Sequence, residues 1–297
     1  METTEILAVQ ILLNGLISGI ALAASSLAFG LVFLSTRVFH LGLCAIYVIS
    51  PLVTWECVHR GLSWPVAAAL GLAIGPLLST TCYLGNHRPL QKKGATSEAH
   101  FVAALGGYLC MVQMAVMIFG NESRMLRTNL GSARSLGQLT LTDGQVLAAV
   151  ISTVTVVAVL FWIRQTRRGL LLRAIAQNPS QCLLLGIPVH RVEATAFAVS
   201  GAICALCSLL SAYETGVDPN TGFIAGLPAI AALLIGGRST LKGPILGGIF
   251  VGLMRTVSAW LFSAGWQDAV TFTVMALFLL LRPDGLVRAR EGGLDRP

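Results

Sequence analysis

The chain has 297 residues, 55% of them hydrophobic and 11% charged, with a formal net charge of +7 and a mean hydropathy of +0.78. A soluble domain carries roughly a quarter of its residues charged, so one globular core could not hide this much apolar surface, and lipid must be the solvent for much of it. The positive charge does not mark a nucleic-acid surface, because the basic residues fall between apolar runs instead of forming one soluble patch.

Apolar runs of about 20 residues cross the hydrocarbon layer as helices, and the alternating ten-residue segments of a β-barrel are not seen. The expected fold is all-α: a polytopic transmembrane helix bundle of about eight or nine spans, forming a single transmembrane domain over 1–297. The N-terminal METTEILAVQ carries Glu2 and Glu5 where a signal peptide would carry Lys or Arg, so the first run reads as a retained span. Spans are predicted over 6–34, 43–58 (containing Pro51), 64–84, 100–119, 146–163, 192–212, 244–262 and 268–281. A shorter apolar piece occupies 223–235, and 120–145 is polar.

Orientation follows from Lys and Arg in short loops, which stay in the cytoplasm. Arg88, Lys92 and Lys93 mark one inner loop, Arg164, Arg167, Arg168 and Arg173 a second, and Arg238 and Lys242 a third. Arg288 and Arg290 place the C-terminus inside, and nine spans then put the N-terminus, Glu214 and Asp218 outside. The polar stretch 120–145 is the exception, since it holds Arg124, Arg127 and Arg134 yet must be external. Glycines four apart, at 15/19, 71/75, 243/247 and 248/252, are expected where helices approach closely in lipid.

Between the fifth and sixth spans lies RRGLLLRAIAQNPSQCLLLGIPVHR, residues 167–191. Asn178 is a favoured N-cap, Pro179 suits the first helical position, and Gln181 at N3 completes a capping-box pattern. Gly186 supplies a left-handed stop and Pro188 prevents continuation. The predicted helix, 179–185, is too short to be stable alone in water. With Leu183, Leu184 and Leu185 it must lie on something: the bilayer, with Arg167, Arg168 and Arg173 on lipid phosphate, or a groove on a cytoplasmic partner.

Chemistry is sparse elsewhere. No G-x-x-x-x-G-K-[ST] is present, so the phosphate-cradling loop of a nucleotide-binding subunit is missing, and GGRSTLKG has the wrong spacing. No nucleophile, base and orienter occur together, so no catalytic residue is assigned. Cys204 and Cys207 have CxxC spacing inside a span with no second ligand pair, so no metal site is expected. Asn14, Ser25, Ser26, Gln113 and Arg255 stand out among the polar residues within predicted spans. Arg255 reads as a translocation-pathway candidate contacting a carboxylate, as an interhelical tie or as a snorkelling anchor. Asn14 suits a bond to a neighbouring helix or a place on a pathway. Thr221, Gly222, Gly226 and Pro228 interrupt an apolar stretch, as in the broken helices that line transport paths.

The run LLRAIAQNPSQCLLLGIPVHRVEATAFAVSGAICAL resembles the cytoplasmic loop and following helix of branched-chain amino-acid ABC transporter permeases. The likeness continues through DPNTGFIAGLPAIAALLIGG, LKGPILGGIFVGL and LRPDGL, with RVFHLGLCAIYVISPLVTW and HRPLQKKGA upstream. It covers nearly the whole chain and is most specific in the second half.

The resemblance implies a multi-pass permease subunit of the bacterial inner membrane, importing branched-chain or related small amino acids. No cofactor of its own is implied, because ATP is bound by partner subunits. The implied partners are two cytoplasmic ATP-binding subunits, a second permease that is a copy or a paralogue, a periplasmic substrate-binding protein and membrane lipid, with no nucleic acid. It assigns a coupling role within 165–190 to Arg173, Asn178, Pro179, Ser180, Leu184 and Gly186. The family carries Ala-His-Gly where this chain has Gly42, Leu43 and Cys44, which argues against an identical substrate preference. The competing readings are a stand-alone secondary transporter or channel, an ABC permease for urea or amides, and an intramembrane enzyme.

Overall fold

A computed structural model describes residues 2–126, 133–136, 139–238, 240–282 and 285–287. Long apolar helices dominate it: α1 (Glu2–Thr36), α2 (Gly42–His59), α3 (Trp64–Cys82), α5 (Ser97–Phe119), α6 (Asp143–Gln165), α9 (Val189–Thr215) and α11 (Lys242–Leu261). A π-helical turn, Tyr83–His87, joins α3 to the short α4 (Arg88–Lys92). The remaining helices are α7 (Arg167–Gln177), α8 (Pro179–Leu184), α10 (Gly222–Gly236) and α12 (Gln267–Leu281), the last entered through the 3-10 turn Ala264–Trp266. Among the described residues, eight helical segments are long and apolar enough to cross a membrane. The all-α expectation therefore holds, with one local exception. Strands β1 (Ala133–Leu136) and β2 (Leu139–Thr142) form an antiparallel hairpin inside the polar stretch 120–145.

Two faces can be told apart by their contacts. On one, Gln10 Nε2 donates to the Thr140 carbonyl at 2.8 Å, Thr142 Oγ1 donates to Glu214 Oε1 at 3.0 Å, and Arg124 pairs with Val217 through its backbone. On the other, Arg37 Nη2 donates to the Ala176 carbonyl at 3.0 Å, and Arg238 lies 5.9 Å from the Phe33 ring centroid. The Leu286 and Val287 amides bond Ile235 and Gly236 on this second face. Arg88, Lys92, Arg167, Arg168 and Arg173 belong to elements on the second face, which is therefore cytoplasmic. The start of α1 and residues 285–287 lie on opposite faces, as the loop charges predict. Arg127, Arg288 and Arg290, also used in that reading, fall outside the described residues.

The interior is closed by small residues. On α11, Gly248 and Gly252 press against Ala23 and Gly19 of α1, while Gly15 and Gly19 meet Leu253 and Ile249 in return. Gly75 of α3 and Gly201 of α9 face each other backbone to backbone. A β-carbon at these crossings would overlap main-chain atoms, so the spacing seen in the sequence is that of helices in direct contact. The continuous helical run 64–92 is about 43 Å long at 1.5 Å per residue. That exceeds the roughly 30 Å hydrocarbon core, and its last turns carry Arg88 and Lys92 into the cytoplasmic layer. By the same measure α10, with 15 residues, spans only about 22 Å. Residues 216–221 must cover the rest of that crossing.

Candidate coupling surface and translocation path

Asn178 ends α7 and begins α8, and its Oδ1 accepts from the Gln181 amide at 3.0 Å. The reciprocal half of the expected capping box is not formed: the Asn178 amide bonds the Ala174 carbonyl of α7 at 3.1 Å instead. α8 ends at Leu184, one residue earlier than expected. Gly186 takes φ 72°, its amide reaching the Leu183 carbonyl at 3.0 Å and the Ile187 amide reaching Cys182 at 3.0 Å. Those two bonds form a Schellman stop.

Six residues are far below a self-sustaining helix, so α8 is held from outside. Capping fixes both ends, and Cys182 anchors its underside in the same cluster as Leu172, Ile175 and Val189. With that anchor set, its leucines point away from the bundle. Leu183, Leu184 and Leu185 are 57%, 88% and 78% exposed. Arg173, Pro179 and Ser180 are exposed beside them. Next to α8 lies a groove of about 420 Å³, lined by Thr36, Arg37, Lys92, Pro179, Leu183 and Glu193 among others.

Deeper in the bundle, α10 and α2 meet through their first turns. Gly222 sits on the Cys44 carbonyl and Val48, and Gly226 on Cys44 Sγ. Leu43 and Cys44 are fully buried, and the Cys204 thiol donates to the Leu43 carbonyl at 3.1 Å. The departure Gly42-Leu43-Cys44 therefore lies against the start of α10. Thr221 Oγ1 donates to the Asp218 carbonyl at 2.8 Å, and Pro228 is buried inside α10. Thr221 lines a cavity of about 300 Å³ open on the outer face.

The model of the family described as branched-chain amino acid transport system, permease component, matches residues 11–279. The chain belongs to that family. The permease is 23% identical over 303 residues to the high-affinity branched-chain amino acid transport system permease protein BraD of Pseudomonas aeruginosa, covering 95% of this chain and 96% of that one. It is 31% identical over 152 residues to the corresponding permease protein LivH of Escherichia coli, a match covering 51% and 49% of the two chains. Among solved structures, PsaBC from Streptococcus pneumoniae in complex with Fab superposes with a TM-score of 0.50 at 16% identity over 92% of both chains, a likeness of fold alone. The permease is thus a multi-pass inner-membrane component of an ABC transport system.

The structure packs Gly222 and Gly226 against Cys44, with Thr221 and Pro228 on the same helix start and interior, and leaves Asn14 and Arg255 apart from them. Asn14 Oδ1 accepts from Gln10 Nε2 at 3.2 Å within α1. Arg255 of α11 reaches Asp268 Oδ1 at 2.5 Å and Gln267 Oε1 at 3.3 Å, tying α11 to α12 near the outer face.

The sequence reading missed a buried polar layer near the cytoplasmic end. His40 Nδ1 lies 3.2 Å from His87 Nε2, and His87 Nδ1 lies 3.4 Å from His100 Nδ1. Neutral rings satisfy both contacts when each proton points the same way along the chain. Tyr83 donates to Glu193 Oε2 at 2.7 Å close by. Tyr83, His100 and Glu193, at the ends of the predicted spans 64–84, 100–119 and 192–212, add ionisable groups to the polar span residues named from the sequence. The groups of the layer come from separate segments of the chain, so only the tertiary fold reveals it.

Proposed function

We propose that the permease carries a branched-chain or related small apolar amino acid inward, driven by ATP hydrolysed on two cytoplasmic subunits. Its whole length acts as one permease domain, with 165–190 as the coupling segment and no cofactor of its own. The observation that carries this reading is α8, a capped and stopped helix on the basic face with three exposed leucines. Full exposure of three leucines to water would forgo roughly 1.5–3 kcal/mol for each, which fits a surface that a partner covers. Arg173, Asn178, Pro179, Ser180, Leu184 and Gly186 form the gripped element, and the groove beside it lets a partner reach the ends of α1, α4 and α9 together.

A second permease copy or paralogue completes the membrane part, and a binding protein delivers substrate to the outer face. Thr221, Gly222, Gly226 and Pro228 line the path where α10 begins. Leu43, where the family carries a histidine, supports a preference shifted from that of BraD or LivH. The test is Leu184→Asp in the reconstituted complex. Uptake falls about tenfold or more, as for loss of a central interface anchor, while the protein still inserts. Uptake at the wild-type rate would end the coupling assignment.

A further inference from the structure

Arg124 lies on the outer face, against the rule that retains arginines in the cytoplasm, and it is held there with care. Its backbone exchanges two 2.8 Å hydrogen bonds with Val217. The guanidinium carbon stands 3.9 Å from the Trp55 ring centroid, and Nη2 donates to the Phe119 carbonyl at 2.7 Å. Its Nε is buried and has no partner. A buried N–H without an acceptor is costly and rare enough in folded proteins to require an explanation.

Next to Val217, on the segment opposite Arg124, is Asp218. Its Oδ2 accepts from Ser123 Oγ at 2.8 Å and its Oδ1 from the Asn220 amide at 2.8 Å. Those bonds, the Asn220 amide first, hold its carboxyl below the usual range, so it is charged at neutral pH. Arg124 and Asp218 both line the outer cavity of about 300 Å³, yet no ion pair joins them. Each is fixed by its own neighbours, which prevents the collapse onto one another that opposite charges otherwise favour. The rest of the wall sets apolar surface, including Tyr47, Val48, Pro51 and Ala225, beside the hydroxyls of Ser208, Ser211 and Thr221.

A fixed cation and a fixed anion in one small, partly apolar cavity complement a zwitterion with an apolar remainder. The volume sits at the low end of ligand pockets, roughly 300–1,000 Å³, which suits a single amino acid and not a peptide. We infer that this cavity is a receiving site for an apolar α-amino acid, its carboxylate on Arg124, its ammonium on Asp218 and its side chain among Tyr47, Val48 and Ala225. The site rests on the import reading above and deepens it by naming how the substrate's charged end is recognised.

The test uses the permease reconstituted with its partner subunits in nanodiscs, without the binding protein, and L-leucine as probe. Binding is read by saturation-transfer NMR, with leucine methyl ester and 4-methylpentanoate as competitors lacking one charge each. In the wild type both competitors bind about tenfold or more weaker than leucine. Arg124→Gln weakens leucine by a similar factor and abolishes discrimination against the ester. Asp218→Asn abolishes discrimination against the acid, and Arg124→Lys, which keeps the charge, retains binding within a few-fold.

Unchanged affinity and selectivity in Arg124→Gln and Asp218→Asn would overturn the site. So would a lack of saturable binding in a complex that, given ATP and binding protein, still accumulates leucine, and that result leaves the import reading standing. A complete system that accumulates no leucine would overturn both.

Discussion

Two short helices interrupt a bundle of long ones, and they carry opposite surfaces. α10 has 15 residues and is enclosed by α1, α2 and α11, its glycines touching Cys44 on one side and the α11 backbone on the other. α8 has six residues and is anchored by one buried thiol, with Leu184 88% exposed. A short helix survives by burial in the first case and by capping in the second. The difference separates the permease into a part closed by its own helices, proposed above as the path, and a part turned outward, proposed above as the coupling element.

The strongest way to break the comparison is to deny α10 its enclosure. A β-carbon on Gly247 would meet the Ala232 carbonyl and the Gly236 amide. Gly247→Leu is expected to cost about 3 kcal/mol or more through backbone displacement, seen as loss of monodisperse protein on size-exclusion chromatography. Leu184→Asp probes the other helix: chromatographic behaviour stays normal while uptake falls about tenfold or more. If Leu184→Asp instead abolished folding, α8 would belong with the enclosed part.

The smallest effect is expected at Arg255. Its bond to Asp268 is only partly shielded, with the two side chains 25% and 46% exposed, and such pairs contribute about 0–1 kcal/mol. Arg255→Ala should lower Tm by no more than about 2–4 °C, measured by differential scanning fluorimetry, with the KM for uptake changed little. A large rise in KM would move Arg255 from a tie between α11 and α12 to the substrate path.

How much of this was legible in the sequence depended on the range of the signals. Asn178, Pro179 and Gly186 work within a turn of one another, so the cap and stop of α8 could be read directly. The missing half of its capping box could not, because the Asn178 amide is taken by Ala174 of α7, a helix that only the fold reveals. The glycine spacing announced close crossings, and the structure supplied the partners. Arg124 stood out as a positive charge on the wrong side, but Val217, Asp218 and Trp55 lie far from it in sequence. The His40–His87–His100 layer gave no local pattern at all, since its members come from a linker, a π-turn and α5.

The central claim is that α8 is the surface held by an ATP-hydrolysing partner. A photo-crosslinking residue at Leu184, activated in membranes containing the whole transport system, tests it most directly. The account predicts a cross-link to the nucleotide-binding subunit whose yield changes when ATP is trapped there. Cross-linking to lipid alone, with the nucleotide-binding subunit assembled and active beside it, would contradict the account.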